Sequence, residues 1–140
     1  PQKTHALSTT PSQTNAELWC LIRNCSAGSG YGGGIYSNGV DITLKQHFIL
    51  ENCKADHGAG IYLVGNGANI VMNGNAEIYE CDTVNKQKTA PNEDYAAVVL
   101  DGTNLCLNMY SASCIKNQKL TSDNSACVCI TKNRKNHPYT

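Results

Sequence analysis

Three carboxylates, Asp56, Glu80 and Asp82, are the side chains of this 140-residue sequence best suited to acid–base chemistry. They lie in or near one segment of two successive sequence repeats, so stacked repeats would bring them close together. Paired carboxylates act as general acid and base on sugars or bind Ca²⁺. We favour ordinary surface acids, because no basic cluster accompanies them as a polysaccharide lyase would require. The prediction is therefore no catalytic residue, with these three as the alternative.

Histidine and cysteine do not form a recognisable metal motif. His57 lies in a turn between Ala55 and Gly58, where a lone histidine is usually solvated, and no two histidines are spaced i, i+4. Cys127 and Cys129 lack the second ligand pair that would complete a zinc site. We expect these two cysteines to pack in the core or to form a disulfide. No metal and no cofactor are predicted.

Composition limits the partners and the compartment. Eleven basic and eleven acidic residues balance, which disfavours nucleic acid and anionic membrane surfaces. No apolar run is long enough to cross a bilayer, so no membrane insertion is expected. Eight cysteines favour an oxidising, extracellular or cell-surface location. The opening Pro1-Gln2-Lys3 is typical of a processed or excised chain.

Three short segments recur in a constant order. The first pairs a small residue with two apolar ones: Gly34-Ile35-Tyr36, Gly60-Ile61-Tyr62, Ala97-Val98-Val99 and Cys127-Val128-Cys129. The second alternates, with Ile42 and Leu44, Ile70 and Met72, and Leu105 and Leu107 on one face. The third contains Asn24-Cys25, Asn52-Cys53, Glu80-Cys81 and Asn117-Gln118.

These segments predict an all-β fold, a parallel β-helix (solenoid) of about four coils with three short strands each. No helical period is present, and equivalent strands would stack about 4.8 Å apart. We assign residues 1–140 to a single domain, with coils over 17–131 and a loop inserted at 84–94. Residues 1–16 form a tail or cap, and residues 132–140 a C-terminal tail.

Stacking would turn equivalent residues into ladders. Core side chains would include Ile35, Ile61, Ile42, Ile70 and Leu105, while Asn24, Asn52 and Asn117 would form an inward turn ladder. For Asn24, which begins the sequence Asn-Cys-Ser, we favour this ladder over N-glycosylation.

The cysteine column poses a choice between bonds and packing. Cys25, Cys53 and Cys81 would be neighbours within disulfide range, but three cannot all pair, so at least one buried thiol should stay reduced.

Tyr36 would stack over Tyr62 on the outer face. There the pair could bind sugar or a partner, or pack against the inserted loop or a neighbouring subunit.

One stretch carries a family resemblance. Residues 50–62, Leu-Glu-Asn-Cys-Lys-Ala-Asp-His-Gly-Ala-Gly-Ile-Tyr, resemble the repeats of polymorphic outer-membrane proteins and related autotransporter passenger domains, and residues 22–36 do so as well. Those repeats pair an aromatic-x-x-Asn-x-Ala segment with Gly-Gly-Ala-Ile-Tyr. Here Cys25 and Cys53 replace an Asn, and Leu or Ile replaces the aromatic residue. The resemblance implies a right-handed β-helix displayed outside a cell as an adhesin or structural rod.

The predicted function is a non-enzymatic extracellular structural or adhesive module. Its unpaired ends also predict head-to-tail assembly into filaments. Its partners would be other copies of itself or a longer parent chain, together with host or matrix glycans or proteins. The alternative is a carbohydrate-active enzyme, lyase or hydrolase, or a sugar-binding β-helix.

Overall fold

A computed structural model describes residues 19–84, 96–116, 118 and 126–131, which form eleven β-strands and no helix. The strands are β1 Trp19–Arg23, β2 Ile35–Asn38, β3 Ile42–Leu44, β4 His47–Glu51, β5 Ile61–Asn66, β6 Asn69–Met72, β7 Glu77–Tyr79, β8 Ala96–Thr103, β9 Cys106–Met109, β10 Cys114–Lys116 and β11 Ala126–Thr131. We call β1–β3, β4–β6, β7–β9 and β10–β11 coils 1 to 4.

The strands form three parallel sheets. Sheet I has the order β10-β7-β4-β1, sheet II the order β11-β8-β5-β2, and sheet III the order β9-β6-β3. Strands that follow one another in the chain lie in different sheets, and each strand pairs with the equivalent strand of the next coil. This all-β arrangement of stacked parallel strands is compatible with a β-helix or solenoid.

The register in sheets I and II follows the sequence repeats. In sheet II, Ile35 pairs with Ile61, Ile61 with Val98, and Val98 with Val128. In sheet I, the corresponding column is Ile22, Leu50, Ile78 and Ile115. The alignment of the first and third repeated segments is therefore confirmed.

The alignment of the second segment is wrong by two residues in coil 3. Ile70 pairs with Leu107 rather than Leu105, and Met72 pairs with Met109. The cause is β8, which continues through Gly102 and Thr103, paired with Gly65 and Asn66. The turn therefore comes two residues later than predicted. Leu105 precedes β9 and still packs, half-buried, against the core.

The core lies between the three sheets and is narrow. Its centre is formed by side chains of coils 2 and 3 that are almost completely buried: Leu50, Ile61, Leu63, Ile70, Met72, Ile78, Val98 and Leu100. Gly34 shows how tight the space is, because a Cβ there would lie 2.5 Å from Leu50 Cδ1 and 2.9 Å from the carbonyl oxygen of Gly60. The interior thus has room for one layer of aliphatic side chains.

A second, smaller cluster covers the outer face of sheet II. Tyr62, Val64, Ala96 and Val99 are buried there, and Tyr31 packs against them. The strands β5 and β8 are covered on both faces, and they carry unbroken apolar runs such as Ile-Tyr-Leu-Val at 61–64.

Several predictions fall on parts of the chain outside the described residues. These are the tails at 1–16 and 132–140, Asn117, and all of the 84–94 loop except Val84.

Candidate functional site

The three acids of the alternative catalytic group have different settings. Asp82 pairs in register with Lys54. Asp56 lies two residues after Lys54 in the chain and is buried. Glu80 has a φ of 53° at the turn position equivalent to Asn52. The cross-strand neighbour of Asp82 is thus a cation rather than a second carboxylate.

The two stacked tyrosines have different environments. Their rings are nearly parallel, with 6.0 Å between centroids and 6° between planes. Tyr36 is 37% exposed, whereas Tyr62 is 0% exposed and donates its hydroxyl hydrogen bond to Asp101 Oδ2 at 2.7 Å. The prediction of Tyr62 as a surface binding residue is therefore wrong, because the second cluster covers this face of sheet II.

Asp101 was missed by sequence reasoning and is the most buried carboxylate described. It accepts hydrogen bonds from Tyr62 on one side and from Thr131 Oγ1, at 2.7 Å, on the other. These three residues come from coils 2, 3 and 4, so the carboxylate joins three successive layers. Its position at the end of the apolar run Val98-Val99-Leu100 was the available signal.

His57 is held by an aromatic neighbour rather than simply solvated. Its ring stacks on Tyr31, with 4.7 Å between centroids and 19° between planes. Tyr31 in turn meets the ring of Tyr62 edge-on at 4.8 Å. The geometry is that of a packed aromatic cluster.

Cys25, Cys53 and Cys81 occupy equivalent positions in coils 1 to 3. The amide of Lys54 donates to the carbonyl of Cys25 at 2.8 Å, and the amide of Asp82 donates to the carbonyl of Cys53 at 3.0 Å. No disulfide joins these three residues. Cys25 is exposed, while Cys53 and Cys81 are buried free thiols. This agrees with the prediction of at least one reduced thiol in the interior.

The three thiols are electrostatically unequal. Hydrogen bonding from Cys81, with further bonds from Cys25, lowers the pKa of Cys53 to about 6 despite its burial. The pKa of Cys81 is raised by its interaction with Cys53 and also by burial. Partial desolvation and the neighbouring Cys53 raise the pKa of Cys25. The middle position is thus the one whose pKa is lowered, which favours the thiolate, the nucleophilic form of cysteine.

Beside the thiols, the turn positions Asn24, Asn52 and Glu80 share a left-handed backbone with φ of 58°, 49° and 53°. Asparagine tolerates this conformation better than most residues. Asn52 Nδ2 donates to Asn24 Oδ1 at 2.7 Å. Asn24 is exposed and Asn52 half-buried, so this ladder follows the surface of the turn and does not point inward as predicted.

The outer face of sheet I carries exposed apolar and charged side chains that sequence reasoning did not select. A shallow depression of about 480 Å³ is lined by Trp19, His47, Ile49, Asn75 and Glu77. Trp19 is 59% exposed, and its ring stacks on His47 at 4.7 Å. The alternation Trp-x-Leu-x-Arg at 19–23 could have indicated this face.

Charged residues of coils 2 to 4 continue this face. Lys116 Nζ lies 2.8 Å from Glu77 Oε1 and 5.8 Å from the centre of the Tyr79 ring. The bond to Glu77 raises the pKa of Lys116, and a hydrogen bond to Glu51 raises the pKa of Tyr79. The face therefore combines an aromatic end with an ion pair between coils 3 and 4.

Within the described parts of the chain, no three His, Cys, Asp or Glu side chains are arranged to hold a metal ion. In the same ranges, no helix has the length and apolar character needed to cross a membrane.

Comparisons with known proteins identify no relative. No protein-family model matches the chain, and neither a curated protein nor a solved structure shows significant similarity to it. The resemblance of residues 50–62 to outer-membrane protein repeats therefore stays a prediction.

Proposed function

We propose that the chain is a right-handed parallel β-helix that acts outside a cell as a non-enzymatic structural or adhesive module, joined end to end with other copies of itself. Right-handed crossovers are the general rule for parallel strands, which supports this hand. The observation that carries the proposal is the exposure of core-type side chains at both ends of the stack.

At the coil 1 end, several residues equivalent to the buried core are open, although Ile42 and Leu44 are buried. Val40 is 65% exposed, whereas Ala68, at the same distance before the paired Ile70, is 2% exposed. Ile22 and Ile35 are only half-buried, although their partners Leu50 and Ile61 are fully buried.

At the coil 4 end the same contrast is present. Ile130 is 72% exposed, while its register partner Leu100 is 0% exposed. Val128 and Ile115 are half-buried, although the residues below them are fully buried.

Among the described strands, those at the two ends of each sheet have one unpaired edge. Apolar end faces with such edges favour a docked partner. The two ends are different surfaces, so one end of a copy would dock on the opposite end of the next. Such a contact does not close on itself and extends into a rod. The remaining faces then repeat along the rod, which suits a structural or adhesive role.

Sedimentation velocity over a range of concentrations tests the assembly. The unmodified chain should form a growing series of oligomers. Val40→Asp and Ile130→Asp should each block one end and remain monomeric, but an equimolar mixture should give dimers and no larger species, because each variant keeps one intact end. Leu21→Asp, on the lateral face, should assemble normally.

Other outcomes would contradict the proposal. A chain that is monomeric at every concentration, or a mixture of the two end variants that forms no dimer, would mean that these ends do not join copies. A normal far-UV circular dichroism spectrum for each variant ensures that the comparison concerns folded chains.

Enzymatic activity is tested separately. A panel of acidic and neutral polysaccharides should show no release of reducing or unsaturated ends. If ends are released, and Asp82→Ala abolishes their release, the non-enzymatic proposal is wrong.

Sugar binding is the second candidate function, and the depression beside Trp19 favours it. An exposed indole, with Asn75 and Glu77 alongside, combines a flat apolar surface with hydrogen-bonding groups, as sites for small polar ligands do. Calorimetry with neutral oligosaccharides should show binding that Trp19→Ala removes and that Tyr110→Ala, an exposed aromatic control outside the depression, retains. Binding unaffected by Trp19→Ala would place the sugar elsewhere.

A further inference from the structure

We infer that Cys25 and Cys53 form a disulfide between coils 1 and 2 when the chain meets a small-molecule disulfide such as oxidised glutathione, and that Cys81 remains a thiol. Cys25 lies at the coil 1 end, where the proposed assembly docks a second copy, so the oxidation is tested on the monomeric chain.

The backbone geometry suits this bond. Cys25 and Cys53 are in-register neighbours on parallel segments, with the bridge between Ser26 and Lys54 one residue beyond them. Such neighbours lie about 4.8 Å apart, inside the Cα range of about 4.4–6.8 Å found for disulfides.

The side chains of Cys25 and Cys53 also have the same orientation. Cys25 Sγ points to the carbonyl of Arg23 at 3.5 Å, and Cys53 Sγ points to the carbonyl of Glu51 at 3.4 Å. Each sulfur is also close enough to the other to shift its pKa. Rotation about Cα–Cβ therefore brings them together without a change of register.

Accessibility selects the partner of Cys53. As the middle thiol it could bond to either neighbour, but Cys53 and Cys81 are both fully buried and closed to a solute. Cys25 is exposed and belongs to the coil with the more open core. A dissolved disulfide thus meets Cys25 first.

The reaction proceeds by two thiol–disulfide exchanges. The Cys25 thiolate attacks one sulfur of oxidised glutathione, the glutathione S–S bond breaks, and one glutathione thiolate leaves. The Cys53 thiolate then attacks Cys25 Sγ in the mixed disulfide and expels the second glutathione thiolate. Two protein thiols are oxidised, one glutathione disulfide is reduced to two thiols, and the two thiol protons pass to the leaving groups.

The bond closes a loop between the first two coils and restricts the unfolded chain. Because coil 1 has one neighbouring coil among the described residues, it should unfold first, and the bond ties it to the better-packed coil 2. The expected gain in Tm is roughly 5–10 °C.

Peptide mapping tests the inference directly. The reduced chain is equilibrated in glutathione buffer at a concentration where it is monomeric, alkylated and cut with trypsin. Cleavage after Arg23, Lys45, Lys54 and Lys86 places each of the three cysteines in its own peptide. Peptide 24–45 should be linked to peptide 46–54, and peptide 55–86 should carry an alkylated Cys81.

Variants separate the roles of the thiols. Cys81→Ser should keep the linkage and the gain in Tm, and so should Cys127→Ser, which removes an exposed cysteine of coil 4. Cys25→Ser should lose both and leave Cys53 alkylated. A linkage between peptides 46–54 and 55–86, or Cys25 recovered only as a glutathione adduct, would overturn the inference, provided that circular dichroism shows a folded chain.

Discussion

Coils 1 and 2 carry nearly the same sequence pattern but differ in burial. Leu50, Cys53 and Ile61 of coil 2 are completely enclosed, while Cys25 of coil 1 is exposed and Ile22 and Ile35 are only half-buried. The difference is the neighbour, because coil 2 has a coil on each side and coil 1 has one described neighbour. In a stacked fold, stability therefore belongs to the contact between repeats more than to any single repeat.

Truncating the same inward position in the two coils should give the largest contrast. Leu50→Ala would leave a cavity in the enclosed core and lower the free energy of unfolding by about 3 kcal/mol, whereas Ile22→Ala at the partly open end should cost about 1 kcal/mol. Urea unfolding of both variants measures the difference. Equal losses would mean that coil 1 is covered as fully as coil 2.

Adding a methyl group, rather than removing a side chain, also tests the packing between coils 1 and 2. Gly33 of coil 1 and Ala59 of coil 2 are equivalent, yet a Cβ at Gly33 would press on the carbonyl oxygens of Ala59 and Lys54. Gly33→Ala should therefore destabilise the chain by about 2 kcal/mol, although coil 2 carries alanine at this position.

Gly39→Ala serves as the control for that glycine. No atom lies within 4 Å of a Cβ built there, so only the strain of its positive φ of 71° should be felt. Thermal unfolding compares the two variants, and an unchanged Tm for Gly33→Ala would show that the coils can separate slightly.

The stacked tyrosines give a smaller contrast. Tyr62→Phe removes the hydroxyl that donates to buried Asp101 and should lower the free energy of unfolding by about 1 kcal/mol. Tyr36→Phe, at the more exposed ring, should have less effect. Chemical denaturation of both proteins decides, and a greater loss for Tyr36→Phe would contradict the assignment of Tyr62 as the structural residue.

The exposed ion pair between coils 3 and 4 should have the smallest effect. Glu77 raises the pKa of Lys116 in the folded protein. The ion pair therefore contributes its full stabilisation below the pKa of lysine in the unfolded chain, and this stabilisation is lost as the pH rises through the pKa of Lys116 in the folded protein. Glu77→Gln should lower the pKa of Lys116, as followed by NMR titration, and the small Tm difference from the unmodified chain at neutral pH should vanish at strongly alkaline pH. A difference that grows with pH would exclude this pair as its cause.

Much of the stacking could be predicted from spacing. The constant separation of Cys25, Cys53 and Cys81 and the pattern around Ile35 and Ile61 fix the register of sheets I and II, because equivalent side chains must meet equivalent side chains. The register in sheet III was missed in coil 3. A shift of two residues keeps alternate side chains facing inward, so Leu105 and Leu107 fit the pattern equally well.

The outer surface was harder to predict. Alternation assigns Tyr62 to the outside of sheet II, which is correct, but it cannot tell whether that side meets water. The second cluster buries Tyr62 and Asp101, whereas Trp19 and Leu21, equally outward on sheet I, remain exposed. Unbroken apolar runs do not separate the two faces, because sheet I also contains one, Trp19-Cys20-Leu21-Ile22.

The sequence by itself determined the repeat, the three strands of each coil and the side of the strand on which each residue lies, since these depend on local alternation and on turns formed by glycine and asparagine. Only the tertiary structure decided which equivalent side chains are covered, which thiol can meet solvent and where the apolar ends lie. Those properties depend on what packs above, below and outside each coil, and a residue's own neighbours in the chain carry little information about such contacts.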